Sequence, residues 1–343
     1  MPRRVNITDV AREAGVSTAT ISYVLNQKAT ETISPETMER VYAAIKKMNY
    51  VPNLSARSLV SKRSNMIGVV IPQTEPGKEF MFSNPYYGEF LSNVEYTARK
   101  NGYHVLISGT EANQSYINVA KNRGLDGIVI VGMYPDEFYM ELKQSQVPIV
   151  MVDSYSNEHY FHNIGINDRH GGYIATQHLI KNGHRSIAFV SGKVREEGVN
   201  YKRFLGYKDA MKEAGLEIND KSIYIGNVSH EYGMEAARLI KENGQGETAV
   251  FSTADIMAVG LIKGLKLHGL RVPEDVSVVG FDDVYLANIS DPSLTTIRQN
   301  IAEKGNLAAE VIIEAATNKS MTKRDIILPI EVVERQSVRN LLP

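Results

Sequence analysis

In the N-terminal part of the chain, apolar residues recur at helical spacing. Ile7, Val10, Ala11 and Ala14 share one face, Asn6 or Thr8 can cap its start, and Gly15 can end it. After the turn Ala14-Gly15-Val16-Ser17, a second helix is predicted from Thr18 to Leu25, with Ile21, Val24 and Leu25 as its buried stripe and Ser17 as its cap. A third opens at Ser34-Pro35-Glu36 and continues through Val41, Ala44, Ile45 and Met48. Two short helices around a glycine-containing turn form a helix-turn-helix, and the third completes a small core. The same geometry also occurs in purely structural helical subdomains.

Further along, the pattern changes. Short apolar runs (MIGVVIP, YHVLISG, GIVIVG, PIVMVDS, then SIAFVSG, SIYIGN, TAVFST, VSVVGFDD) alternate with amphipathic segments such as GYIATQHLIKNG and MEAARLIKENG. This alternation predicts parallel sheets covered by helices, and the two series predict two similar lobes. Ligands of doubly wound sheets bind at the carboxyl ends of strands, where Asp153, Ser191 and Asp282 are expected to emerge.

At 343 residues the chain exceeds one ordinary core, with room for a reader and a sensor. The formal charge of -1 divides unevenly: residues 1–63 hold ten Lys or Arg against five Asp or Glu, a net of +5, leaving -6 for the remainder. A basic head on an acidic body suits a polyanion for the head alone, although a solvated basic face has the same composition. Cysteine is absent, which excludes disulfides, a thiolate nucleophile and thiolate metal sites. Neither an apolar signal core nor a membrane-spanning run is recognisable, so a cytoplasmic protein without membrane attachment is expected.

The run VNITDVAREAGVSTATISYVLN, the third helix, and NYVPNLSARSLVSKRSNMIGVVIP closely resemble the headpiece and hinge of LacI/GalR-family repressors. The resemblance continues through NPYYGEFLSNVEYTARKNGYHVLI, HLIKNGHRSIAFVSG, RFLGYKDAMKEAGL, VPEDVSVVGFDDV and DPSLTTIRQN. It implies an all-α helix-turn-helix headpiece (1–52), a hinge helix and linker (53–63), and an α/β sensor like periplasmic binding proteins (64–343), built of two doubly wound lobes. The first lobe is expected at about 64–166 plus 297–327 and the second at about 167–296 plus 328–343, with three crossings between them.

For the headpiece, the resemblance places the second helix in the major groove. Thr18 and Ala19 then reach base edges, Thr20 and Ser22 anchor phosphates, and Thr8, Ser17 and Asn26 assist. Tyr23 stands where many relatives carry arginine and cannot form arginine's fork to guanine. Asn53, Ala56, Arg57 and Leu59 belong to the hinge, in which Leu59 wedges into the minor groove; a plain linker is the rival reading.

In the sensor, Arg203 matches the arginine that contacts effector hydroxyls and Asp282 the effector-binding acid. A surface salt bridge is the bland alternative for Arg203, and helix capping or a structural role is expected of Asp283. Asp153 either binds ligand or caps a turn. Of Tyr86 and Tyr87, one stacks on a sugar face and the other packs in the core. Ala254 stands where many relatives have Asn, and the segment from Ser108 to Asp126 is shorter than usual.

No nucleotide-loop, hydrolase-elbow or metalloprotease motif is present, so catalysis is not expected. His159 and His162, three apart, lack an evident third ligand, and neither a metal nor a cofactor is expected. The expectation is a homodimeric repressor of carbohydrate uptake or catabolism genes, bound to a pseudopalindromic double-stranded operator and controlled by a sugar or sugar phosphate. No leucine-heptad extension follows Asn340 to suggest a tetramer. A sugar-binding receptor without a regulatory role and a nucleobase-responsive regulator are the alternatives.

Overall fold

A computed structural model describes residues 5–25, 33–51, 63–73, 81–111, 115–132, 138–155, 160–318 and 322–342. The chain forms two compact units, Met1–Ser64 and Asn65–Pro343.

In the first unit, three helices follow the apolar spacing: α1 (Ile7–Ala14), α2 (Thr18–Leu25) and α3 (Pro35–Lys47). Asn6 caps α1 reciprocally with Asp9: Asn6 Oδ1 accepts from the Asp9 amide and Asp9 Oδ2 from the Asn6 amide, both at 3.0 Å. Gly15 ends α1 at φ 66°, in the left-handed region, and so frees the chain to enter the turn. Ser17 Oγ accepts from the Thr20 amide at 3.1 Å at the start of α2, and Ser34 caps α3 ahead of Pro35. Val10, Ala11, Ala14, Ile21, Val24, Val41 and Ala44 form the core.

The second unit contains two six-stranded sheets. Its first segment runs β1 (Met66–Gln73), α4 (Pro85–Lys100), β2 (His104–Glu111), α5 (Tyr116–Arg123), β3 (Gly127–Val131), α6 (Phe138–Lys143), β4 (Ile149–Val152) and β5 (His162–Ile166). The chain then crosses into α7 (Asp168–Lys181), β6 (Ile187–Gly192), α8 (Val199–Glu213), β7 (Ile223–Gly226), α9 (His230–Asn243), β8 (Ala249–Ser252), α10 (Asp255–Leu267), β9 (Ser277–Asp282), α11 (Tyr285–Ile289) and β10 (Thr295–Gln299). It returns through α12 (Ile301–Thr317) and β11 (Asp325–Leu328), then ends in the second sheet with β12 (Ile330–Val333). The strand orders are β11-β5-β4-β3-β1-β2 and β12-β10-β9-β8-β6-β7. Every pairing is parallel except β10 with β12.

Central strands such as β3 and β4 are buried along their whole length because helices cover both faces, which is why they are continuous apolar runs. Near the expected return crossing at about 297, β10 pairs with β9 through Arg298 and with β12 through Gln299, holding the chain in the second sheet to Gln299. Of the two strands that complete the sheets, β11 and β12, only Pro329 lies between them.

Candidate functional site

In the headpiece, core packing of Ile21 and Val24 turns the opposite side of α2 outward. Thr18, Ala19 and Tyr23 are exposed and Ser22 half-buried, so the residues expected to read bases lie on one accessible surface. Ser17 is exposed, but its hydroxyl is committed to the start of α2, 2.9 Å from Thr20 Oγ1 as well as at the Thr20 amide. Thr8 is exposed on the first turn of α1. Asn26, Asn53, Ala56, Arg57 and Leu59 lie outside the described residues.

In the sensor, strand ends from both lobes converge. Asp153 follows β4 at φ 51°, Asp282 closes β9 at φ 118°, and Asp283 follows at φ 59°. Three aspartates in a backbone region that L residues rarely occupy mark these strand ends as a locally strained place.

Arg203, on α8, is buried and is not the surface salt bridge of the bland reading. Its Nε donates to Asp168 Oδ1 at 2.7 Å and its Nη1 to the Thr253 carbonyl at 2.7 Å, while Asp282 Oδ1 lies 4.0 Å from Nη1. The guanidinium sits 3.6 Å above the Phe281 ring. Nη2 has no hydrogen-bond partner among the described residues. The Tyr155 hydroxyl donates to the other Asp168 oxygen at 2.6 Å. Thr253 Oγ1 donates to Ser191 Oγ at 3.0 Å, tying Ser191 to the same group.

The chain of contacts crosses the lobe boundary. Gln299 Nε2 donates to Asp282 Oδ1 at 2.6 Å, and Gln299 Oε1 accepts from Lys304 Nζ at 2.5 Å. Lys304 also donates to Asp153 Oδ1 at 2.6 Å, and the Tyr86 hydroxyl donates to Asp153 Oδ2. Tyr86 is thus the buried member of its pair. Tyr87 is half-buried and meets it edge-on at 5.4 Å between centroids.

Burial governs the acids here. It pushes Asp282 up to about 7, against the opposing pull of Arg203, Gln299 and Lys304. Asp168 also rises, since desolvation outweighs Arg203. Burial opposes the charge of Arg203, but Asp168 and Asp282 overcome it and raise its pKa. Tyr86 rises well above its ordinary value through burial and the neighbouring Asp153 carboxylate.

The elevated Asp282 value predicts a pH effect. The folded protein holds this proton where the unfolded chain has lost it, so the stabilisation is fully present below 3.8 and is lost as pH rises through about 7. Asp282→Asn should therefore lose less stability than the parent between about pH 5 and about pH 8, read by urea unfolding of both proteins. Parallel pH dependences in the two would contradict the assignment.

Other expected residues have structural partners. Asp283 accepts from Arg298 (2.7 Å) and Arg335 (2.6 Å), which matches the structural role expected of it. Ala254 brings no polar group, but Asp255 beside it is buried, bonded to Thr296 Oγ1 at 2.6 Å and to the Val284 amide at 3.0 Å, and burial raises its pKa well above the ordinary value. His162 lies in β5 with Nδ1 accepting from the Arg324 amide at 3.3 Å, while His159 is outside the described residues. Among the described residues, no group of three or more His, Cys, Asp or Glu could hold a metal ion, and no helix is long and apolar enough to cross a membrane.

Sequence reasoning missed Tyr155, Asp168, Thr253, Gln299 and Lys304. A signal existed for Lys304, which interrupts the otherwise apolar stripe Ile301, Gly305, Ala308, Ala309 and Ile312. The others are ordinary polar residues near strand and helix ends.

A helix-turn-helix unit and a two-lobed α/β unit with polar groups converging between its lobes are the two parts of a DNA-binding regulator. Residues 6–53 match the bacterial regulatory proteins of the lacI family, and residues 176–338 a periplasmic binding protein-like domain. The chain is 33% identical to catabolite control protein A of Priestia megaterium over 98% of its own length and 99% of that protein. It is 35% identical to the HTH-type transcriptional repressor PurR of Vibrio campbellii, again over 98% and 99%. A solved transcriptional regulator CelR–cellobiose complex superposes with TM-score 0.70 at 27% identity, covering 97% of this chain and all of that one. The chain belongs to the LacI family and is a DNA-binding transcription regulator.

Proposed function

We propose that this regulator is a cytoplasmic homodimeric repressor. Two copies of α2 read a pseudopalindromic operator, and a sugar or sugar phosphate bound between the sensor lobes controls the affinity. The observation that carries the ligand half is the convergence of Arg203, Asp282 and Asp153 at strand ends of opposite lobes, with Arg203 Nη2 unpartnered among the described residues. Hydroxyls suit this set, because Arg203 Nη2 is left to donate while Nε and Nη1 fix the guanidinium, and carboxylates accept from O–H groups. The cellobiose bound to the CelR regulator supports a sugar. On the DNA side, the exposed Thr18, Ala19 and Tyr23 and the half-buried Ser22 offer short polar and methyl contacts and one aromatic edge. Residues 53–63, with Leu59 as the minor-groove wedge, complete the reader.

The test is selection of genomic fragments by the purified full chain at physiological salt, with a chain lacking residues 1–63 as control. Enrichment of one palindromic motif beside sugar-uptake or sugar-catabolic genes is the expected result. Thermal-shift screening with sugars, sugar phosphates and nucleobases then assigns the effector. Fragments retained equally by the truncated chain would overturn the DNA half, and stabilisation by a nucleobase alone would replace the sugar reading.

A further inference from the structure

Lys304 is a charge on a helix face that is otherwise apolar. It has no exposed surface. An ammonium at that depth is tolerated only where its donors are met. Those of Lys304 are directed at Asp153 Oδ1 (2.6 Å), Gln299 Oε1 (2.5 Å) and, more distantly, the Tyr86 hydroxyl (3.5 Å). Asp153 and Tyr86 belong to the first lobe. Gln299 ends β10 of the second sheet, and its amide donates onward to Asp282, 4.0 Å from Arg203. An unbroken polar chain therefore runs from Tyr86 and Asp153 through Lys304 and Gln299 to the second lobe.

We infer that Lys304 is an interlobe positioning residue. It ties Gln299 and Asp282 to Asp153 and Tyr86, so that the strand ends of the two lobes are held in closed register before any effector arrives. An apolar side chain of similar length would fill the same volume and leave Asp153 and Gln299 without a bridge across the boundary. Closure populated without ligand raises the apparent affinity of an effector that needs closure, whereas an effector favouring the open arrangement must break these bonds. This inference does not depend on the identity of the effector.

The absence of cysteine makes the test direct. Phe82 and Glu196 are exposed in the segments that follow the carboxyl ends of β1 and β6, one in each lobe. Cysteines introduced there carry spin labels in the full-length chain, diluted with unlabelled chain so that only intrachain distances are read. Without ligand, a narrow distance distribution is expected. Lys304→Met should broaden it and move its main component to longer distance.

Gln299→Leu removes the interlobe link to Lys304 together with the Gln299–Asp282 bond inside the second lobe, and leaves the Lys304–Asp153–Tyr86 group intact within the first lobe. It should open the lobes as Lys304→Met does, and the double variant should open them no further than either single variant. If Lys304 served only to pack its own lobe, the melting temperature would fall while the distance distribution stayed as in the parent. That outcome, or a folded Gln299→Leu chain that keeps the narrow distribution, overturns the inference.

Discussion

Truncating Arg203 to alanine is expected to cost about 3–5 kcal/mol of stability, because it removes the cation of a buried ion pair and leaves Asp168 with the neutral Tyr155 hydroxyl in place of a counter-charge. Asp168, which Arg203 contacts at 2.7 Å, is almost fully buried, and the Thr253 carbonyl would lose its donor at the same time. The deficit should shrink in acid, because burial already raises the Asp168 pKa and a proton can then replace the guanidinium as the neutralising partner. Urea unfolding at neutral and at mildly acidic pH measures both effects. Adding Asp168→Asn to Arg203→Ala should recover part of the loss. Arg203→Lys should not restore effector response, since an ammonium lacks the planar fork that spans Asp168 and Thr253 while leaving Nη2 for a ligand. A deficit below about 1 kcal/mol would mean that the pair contributes no more than a surface salt bridge.

Gly206→Ala is expected to be nearly as damaging for a different reason. Helices α7 and α8 pack so closely that a Cβ on Gly206 would stand 1.9 Å from the Arg169 carbonyl oxygen and 2.5 Å from the Tyr173 amide nitrogen. From the other side, a Cβ on Gly172 would stand 2.0 Å from the Arg203 carbonyl oxygen. These obstacles are backbone, so the helices themselves must separate. Asp168 opens α7 and Arg203 lies one turn before Gly206 on α8, so the separation also stretches their ion pair. Overpacking of this kind costs about 3 kcal/mol, and the effector response should fall with it. Gly88→Ala is the control: it lies within α4, and nothing stands within 4 Å of the added methyl. That variant should be neutral or more stable by up to about 1 kcal/mol. Equal melting temperatures for the Gly206 and Gly88 variants would refute the close-approach argument.

Both effects arise where the sequence was least informative. Gly206 is one of 26 glycines, and nothing local distinguishes it from a flexible position. The partnership of Arg203 with Asp168 joins residues 35 apart on two helices, and that of Lys304 with Asp153 joins residues 151 apart in the chain.

The sequence by itself determined the elements and their class. Caps at Asn6, Ser17 and Ser34 and the stop at Gly15 act through atoms within a few residues of one another, so the headpiece helices were readable in advance. Continuous apolar runs required strands covered on both faces, and the doubly wound sheets follow from that. The strand-end positions of Asp153 and Asp282 were equally local. Only the tertiary structure decided how those acids are used. Asp153 is held by Lys304 and Tyr86, Asp282 by Gln299, and Arg203 by Asp168, because the lobe boundary brings together side chains from segments that periodicity and capping do not connect. It also decided where the return crossing falls, since a strand continues as far as its neighbours supply backbone partners, and β9 supplies them to Arg298 and β12 to Gln299.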